Sequence, residues 1–200
     1  MIQERTRTTQ PPLVSVIILS WNRKSELLQT LASLPDQTYA NTEVLVVDQG
    51  SDDGTPEAIA DQFPSVRVIK LHRNHGVPGG RNIGTANAKG DILVYLDNDA
   101  GLSNNALSYV VDRFSRDEEL GIIGFRIVNA FSGELDLTSW AYQRPKLDCS
   151  EREFETYTFC GAGHAIRRDV FQTVGYYWDE LFFGFEEMEL SIRTMDAGYR

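Results

Sequence analysis

Two hydrophobic periods alternate along the first two thirds of the chain. Short, largely apolar runs rich in Val, Ile and Leu occupy residues 14–19 (VSVIIL), 43–47 (EVLVV), 66–71 (VRVIKL) and 91–96 (DILVYL). Runs of this length and composition, bounded by turn residues, predict buried strands. Between them the spacing becomes helical. Leu27, Leu28, Leu31 and Leu34 share one face after a capping Asn22. Thr55-Pro56-Glu57 reads as an N-cap, a proline at the first helical position and an acid in the first turn. Residues 72–80 are glycine-rich, and residues 81–88 read as a helix. Ser103 caps a further helix with Leu107, Val110, Val111 and Phe114 inward, and residues 120–128 form a fifth strand. Strand and helix in this alternation predict an α/β fold with a mostly parallel central sheet flanked by helices.

The pattern then changes. Residues 129–155, with Trp140, Tyr142, Pro145 and Cys149, show neither period and are expected to hold short antiparallel strands or a loop. Residues 156–166 read as a strand, 168–174 as a short helix and 186–196 as a final helix, with Met188, Ile192 and Met195 on its buried face. There is no repeat or low-complexity segment. The chain stops at Arg200, just after Gly198, without a closing element, as expected of a piece cut from a longer protein.

Composition narrows the class. At 200 residues, 42% hydrophobic and 24% charged, the chain suits one soluble α/β domain. A formal net charge of −10 disfavours a nucleic-acid partner, while leaving a small phosphorylated ligand open. Cys149 and Cys160 form no CxxC pair, which points away from zinc and towards a reduced, cytoplasmic setting. Residues 1–12 are polar, end in Pro11-Pro12 and read as an extended or disordered tail without a signal-peptide core. No apolar run is long enough to span a bilayer, which leaves peripheral association at the inner membrane face open.

In open parallel sheets, ligands bind beyond the carboxyl ends of the strands. Strand one ends in Ser20-Trp21-Asn22, strand two in Asp48-Gln49-Gly50 and strand four in Asp97-Asn98-Asp99. A glycine-rich phosphate fingerprint after strand one and a Walker A sequence are both absent, which disfavours dinucleotide and P-loop enzymes. Two carboxylates one residue apart, Asp97 and Asp99, suit a shared Mg²⁺ or Mn²⁺ that also takes phosphate oxygens. Alone, the same triplet reads first as turn chemistry. Asp48 and Gln49 fit the edge of a base or a ribose hydroxyl as well as they fit a turn, and Trp21 fits either base stacking or packing. Arg81 sits at the expected helix start, within reach of a diphosphate, with Asn82 as a cap or brace for the neighbouring loop. Glu186, Glu187 and Glu189 crowd the first turn of the last helix, where the helix dipole stabilises acids. One of them is a candidate general base, and Glu189 is spaced to pair with Arg193. His164, on a strand, ranks below these carboxylates, and packing is its default role.

In their order and spacing these segments resemble the inverting glycosyltransferases of family 2, with the GT-A fold, over residues 14–200. The motif segments are residues 14–22, 46–55, 79–84, 92–99, 161–163 and 178–200. The resemblance implies a hexosyl- or deoxyhexosyl-transferase that moves a sugar from a UDP- or dTDP-linked donor to a glycan or lipid-linked hydroxyl. It implies a metal (Mn²⁺ or Mg²⁺) on Asp97 and Asp99, and nucleotide contacts from Leu19, Trp21, Asp48, Gln49, Arg81 and Asn98. It implies acceptor contacts from Gly161, Ala162, Gly163, His164 and Glu186. Glu187 inherits the role of general base, one methylene longer than the family's usual Asp. Gln49 likewise replaces the family's usual Asp or Asn, and Glu189 replaces a common Asp. Residues 13–128 would form the nucleotide-sugar half of a single domain and residues 129–200 an acceptor half truncated at its end. The other readings are a non-catalytic nucleotide-sugar-binding domain and a nucleotidyltransferase.

Overall fold

A computed structural model describes residues 10–142 and 144–200; most of the expected tail lies outside the described residues. The chain forms one six-stranded sheet in the order β3-β2-β1-β4-β6-β5. Strands β1 (Val14–Ser20), β2 (Thr42–Asp48), β3 (Arg67–Lys70) and β4 (Ile92–Leu96) run parallel. Strand β6 (Gly163–Arg167) runs antiparallel between β4 and the three-residue β5 (Ile122–Gly124). This is the mostly parallel sheet with an antiparallel element in the second half that the sequence predicts.

Helices cover both faces, and the two cores follow the strand alternation. On one face Val16, Ile18, Val46 and Val94 pack under α1 (Lys24–Ser33), α2 (Thr55–Gln62) and α4 (Ala106–Arg116). On the other, Ile17, Val47, Leu93 and Tyr95 pack with Val170, Phe171 and Leu190 from α5 (Arg168–Val174) and α6 (Glu186–Asp196). Helix α3 (Gly76–Asn87) lies on that second face, closely enough that a methyl group at Gly84 would strike Ile17.

Several expectations need correction. Helix α3 starts at Gly76, five residues before the expected 81. Its first glycines, read as loop, are its opening turns; Gly80 and Gly84 let the helix sit down on β1 and β2, and Pro78 is tolerated in the first turn. The strands expected at 120–128 and 156–166 shrink to β5 and β6. Helix α1 is not capped by Asn22, which adopts a left-handed φ of 53° and whose Oδ1 accepts from the backbone N–H of Asp52 (2.9 Å). Gly54 and Asn105, rather than Thr55 and Ser103, precede α2 and α4. Met188, Ile192 and Met195 are 37%, 48% and 39% exposed. Helix α6 buries the neighbouring stripe instead, Glu186, Leu190, Ser191 and Thr194. Thr194 is satisfied within the helix, its Oγ1 donating to Leu190 O at 2.8 Å.

Candidate active site

The carboxyl ends of β1, β2 and β4 open on the same edge of the sheet, and short cross-links fix their loops. Asn22 N donates to Ser51 Oγ (2.9 Å), joining the β1 and β2 loops. Asp53 accepts from the backbone N of Lys24 and of Thr55, both at 3.0 Å, so one carboxylate holds the starts of α1 and α2. These bonds keep Asp53 below the usual carboxylate range, although partial burial opposes them. The loop leaves Trp21 about half exposed at 53%.

Asp48 is buried. Its Oδ2 accepts from Ser51 N at 3.2 Å, while its Oδ1 has no protein partner. A buried carboxylate oxygen without a donor is a vacancy for a ligand hydroxyl or N–H. Gln49, also buried, is committed differently, because its Oε1 accepts from His75 N at 2.9 Å and ties down the loop before α3. Leu19 packs beneath Gly80 of α3. Asn98 takes part through its backbone oxygen, which accepts from Thr30 Oγ1 at 2.9 Å.

Asp97 and Asp99 leave β4 exposed at the mouth of this edge, with Arg23 Nη1 3.5 Å from Asp99 Oδ2. Asp97 titrates above the ordinary carboxylate range. Desolvation by the surrounding walls is the main cause; Asp99 and Glu187 add negative potential and Arg81 opposes them. Among the described residues no three His, Cys, Asp or Glu side chains are grouped to hold a metal. A two-carboxylate platform fits an octahedral cation that completes its shell with phosphate oxygens and water.

Arg81 takes a position that differs from the expected one. It is the sixth residue of α3, 4% exposed, and its guanidinium faces the start of α6. It donates to Glu187 Oε1 at 2.7 Å, to Glu186 Oε1 at 3.3 Å and to Gly161 O at 3.0 Å. It therefore spends its donors on the carboxylates and is not extended towards a diphosphate. Glu186 is 2% exposed, and its Oε2 has no protein partner. Burial and then the charge of Glu187 raise its pKa. It is not among the residues that line the cavity beside Glu187. His164 takes the packed role that is its default for a strand histidine, being fully buried in β6, stacked on Tyr95 at 4.8 Å and hydrogen-bonded to Tyr177 Oη at 2.8 Å. Desolvation, then the nearby charge of Arg81, holds it neutral.

Asn82 braces the same wall. Its carboxamide donates to Tyr177 O (2.8 Å) and accepts from Tyr177 N (3.0 Å), fixing the segment that leads into α6. Arg193 holds that segment from the other side, with Nε and Nη2 each 2.6 Å from a Glu189 carboxylate oxygen and Nη2 2.8 Å from Tyr176 O. Asp97 N donates to Ala162 O at 3.0 Å, joining the β4 acids to the segment before β6. Gly163 is buried against Phe125. Gly161 is where Glu187 and Arg81 pack directly on the backbone, leaving no room for a side chain. Beside Glu187 opens a cavity of about 340 Å³, walled in part by Trp140, Phe185 and Met188. Trp140 and its neighbours went unrecognised in the sequence because residues 129–155 carry no period that would aim them.

The sequence profile of the family described as Glycosyl transferase family 2 matches residues 15–175. An uncharacterized protein of Haemophilus influenzae is 30% identical over 173 residues, covering 83% of this chain and 93% of the relative. Glycosyltransferase AglE of Haloferax volcanii is 30% identical over 201 aligned positions, 96% of this chain and 64% of AglE. Among solved structures, the mannosyltransferase PcManGT from Pyrobaculum calidifontis, in complex with GDP-Man and Mn²⁺, superposes with a TM-score of 0.77 at 22% identity. The match covers 96% of this chain and 54% of that one, and it identifies the fold as GT-A.

Proposed function

The chain belongs to glycosyl transferase family 2, and from that premise we propose that it moves a sugar from a nucleoside-diphosphate sugar to an acceptor hydroxyl with inversion. The observation that carries this reading is the pairing, across one sheet edge, of an exposed two-acid platform on β4 with a carboxylate on α6 beside a cavity. Residues 13–128 would supply the donor side and residues 129–200 the acceptor side.

The nucleoside lies over the ends of β1 and β2, where the free Asp48 Oδ1 accepts from its base or ribose and Trp21 offers a stacking face. Gln49 acts indirectly, by holding the loop at His75. Asp97 and Asp99 would hold a divalent cation, Mn²⁺ or Mg²⁺, which would offset the charge of the leaving diphosphate. The negative potential that Asp99 and Glu187 place on Asp97 supports a cation there, as does the Mn²⁺ in the complex of PcManGT. Glu187 removes the proton from the acceptor hydroxyl. The oxygen attacks the anomeric carbon opposite the diphosphate, the new C–O bond forming as the bond to the diphosphate breaks. Arg81 is a positioning residue in this scheme, fixing Glu187 for in-line approach.

The test is turnover of labelled UDP-, dTDP- and GDP-sugars with Mn²⁺. Release of nucleoside diphosphate that disappears in Asp99→Ala and Glu187→Gln is the expected result. Tight nucleotide binding without any turnover would replace this reading with that of a binding module.

A further inference from the structure

The cavity beside Glu187 carries information about what it accepts. Among the described residues Glu187 is the only charged side chain that lines it, and no Lys, Arg or His of those residues does. Arg81 lies just behind Gly161, but it is buried and spends its donors on Glu187, Glu186 and Gly161 O. A phosphate or carboxylate entering here meets a like charge and no counter-ion.

The remaining lining has the chemistry of a sugar site. Thr138 and Ser139 line it, and their hydroxyls donate to Asp136 (2.6 and 2.7 Å). Each hydroxyl oxygen is thereby left with acceptor capacity for a ligand O–H. Trp140 Nε1 is buried and has no protein partner, a donor in want of an acceptor. Trp140 is braced by Tyr142 and Phe154, with ring centroids 5.0 and 6.0 Å away. Phe185, which also lines the cavity, is 75% exposed and held at a left-handed φ of 68° immediately before α6. That backbone is unfavourable for a bulky residue, yet here it carries an aromatic ring in the open, next to the carboxylate. Aromatic faces carry negative potential and attract the weakly positive C–H face of a pyranose. The volume of about 340 Å³ is at the lower end for small-molecule sites.

We propose that this cavity binds an uncharged glycosyl unit of the acceptor, stacked on Trp140 or Phe185 with a hydroxyl towards Glu187, and rejects a unit bearing a phosphate. The proposal rests on Glu187 being the base that the hydroxyl faces, but its test needs no turnover. The probes are the methyl glycosides of glucose, mannose and N-acetylglucosamine, the 6-phosphates of the same sugars, and farnesyl phosphate. Saturation-transfer NMR and Trp fluorescence report binding. At least one methyl glycoside is expected to bind in the millimolar range, about tenfold more tightly than its 6-phosphate and than farnesyl phosphate. Phe185→Ala and Trp140→Ala should each weaken it about tenfold. Phe185 is exposed, so its variant keeps the test valid if the Trp140 variant folds poorly. Glu187→Gln should narrow the discrimination against the 6-phosphate, which loss of packing alone does not do. Equal or tighter binding of a phosphorylated probe overturns the proposal, as does absence of binding by every methyl glycoside up to tens of millimolar. Nucleotide binding with Mn²⁺, followed by thermal shift in the same variants, reports the donor side separately. Loss of that signal counts against the proposed function and not against the sugar cavity.

Discussion

Replacing Gly161 by Ala tests the catalytic geometry with a single methyl group. A Cβ at this position would lie 2.9 Å from Arg81 Nη2 and 3.2 Å from Glu187 Cδ, and closer still to Glu187 Oε1. Ordinary contact begins at about 3.5 Å, so the carboxylate has to retreat by about 1 Å. The backbone at 161 is not in the left-handed region, so the substitution introduces no strain of its own. Glu187 is the far end of a flexible side chain and is able to move, at the expense of its 2.7 Å bond to Arg81. Loss of one charge-assisted hydrogen bond costs about 1.5–3 kcal/mol, leaving a folded protein. A displacement of about 1 Å at the base costs about a hundredfold in rate. Gly161→Ala is therefore expected to lower kcat about a hundredfold while nucleotide affinity with Mn²⁺ stays within about twofold, because the proposed nucleoside contacts lie over the ends of β1 and β2 and the β4 acids keep their backbone bond to Ala162. Nucleoside diphosphate release under saturating donor, together with nucleotide titration, measures both. An unchanged kcat in a folded Gly161→Ala protein would refute the assignment of Glu187 as base, or its need for this position.

Three further outcomes follow from the buried polar groups. Arg81→Met should destabilise by about 3–5 kcal/mol in urea unfolding, because Glu186 stays buried without its cation, and Glu186→Gln in the same protein should recover part of the loss. His164 has a pKa well below its ordinary value in the folded state, so the unfolded chain binds the extra proton. Its contribution to stability is complete above pH about 6.5 and is lost as pH falls, with a slope of up to about 1.4 kcal/mol per pH unit. His164→Phe should flatten the pH dependence of unfolding below that point, and an unchanged slope would exclude His164 as its source. Asn82→Ala leaves the N–H and C=O of Tyr177 without partners and is expected to cost about 2 kcal/mol by chemical denaturation, more than an exposed Asn would.

The sequence made the fold legible wherever one period held for a whole element. The runs at 14–19 and 91–96 became β1 and β4 almost unchanged, and α5 and α6 matched the spans 168–174 and 186–196. Failure came where backbone geometry, not hydrophobic spacing, decides. Gly76, Gly79 and Gly80 look like loop until one sees that they open α3, where a side chain at Gly76 would strike Phe182 and one at Gly80 would crowd Leu19 of β1. The stripe of Met188, Ile192 and Met195 has the spacing of a core face, but Leu190 and Thr194 face the sheet instead. Periodicity gives the separation of faces and not which face is covered. At the site, the identity of the acids was readable and their partners were not. Arg81 and Glu187 stand 106 positions apart, and no local pattern announces their contact. His164 and Glu186 belong to segments that line the site, yet their side chains turn inward.

The placement of β6 bears on how the chain reaches this state. Parallel strands β1 to β4 can pair as soon as they are made, but β4 ends at Leu96 and its outer edge is filled only by a strand beginning at Gly163. Until that segment leaves the ribosome, the apolar run of β4 presents unpaired backbone, a template for association with another chain. β5 cannot shield it, because β5 meets the sheet only through β6. Slow synthesis across residues 97–162 should lower soluble yield more than slow synthesis earlier in the chain.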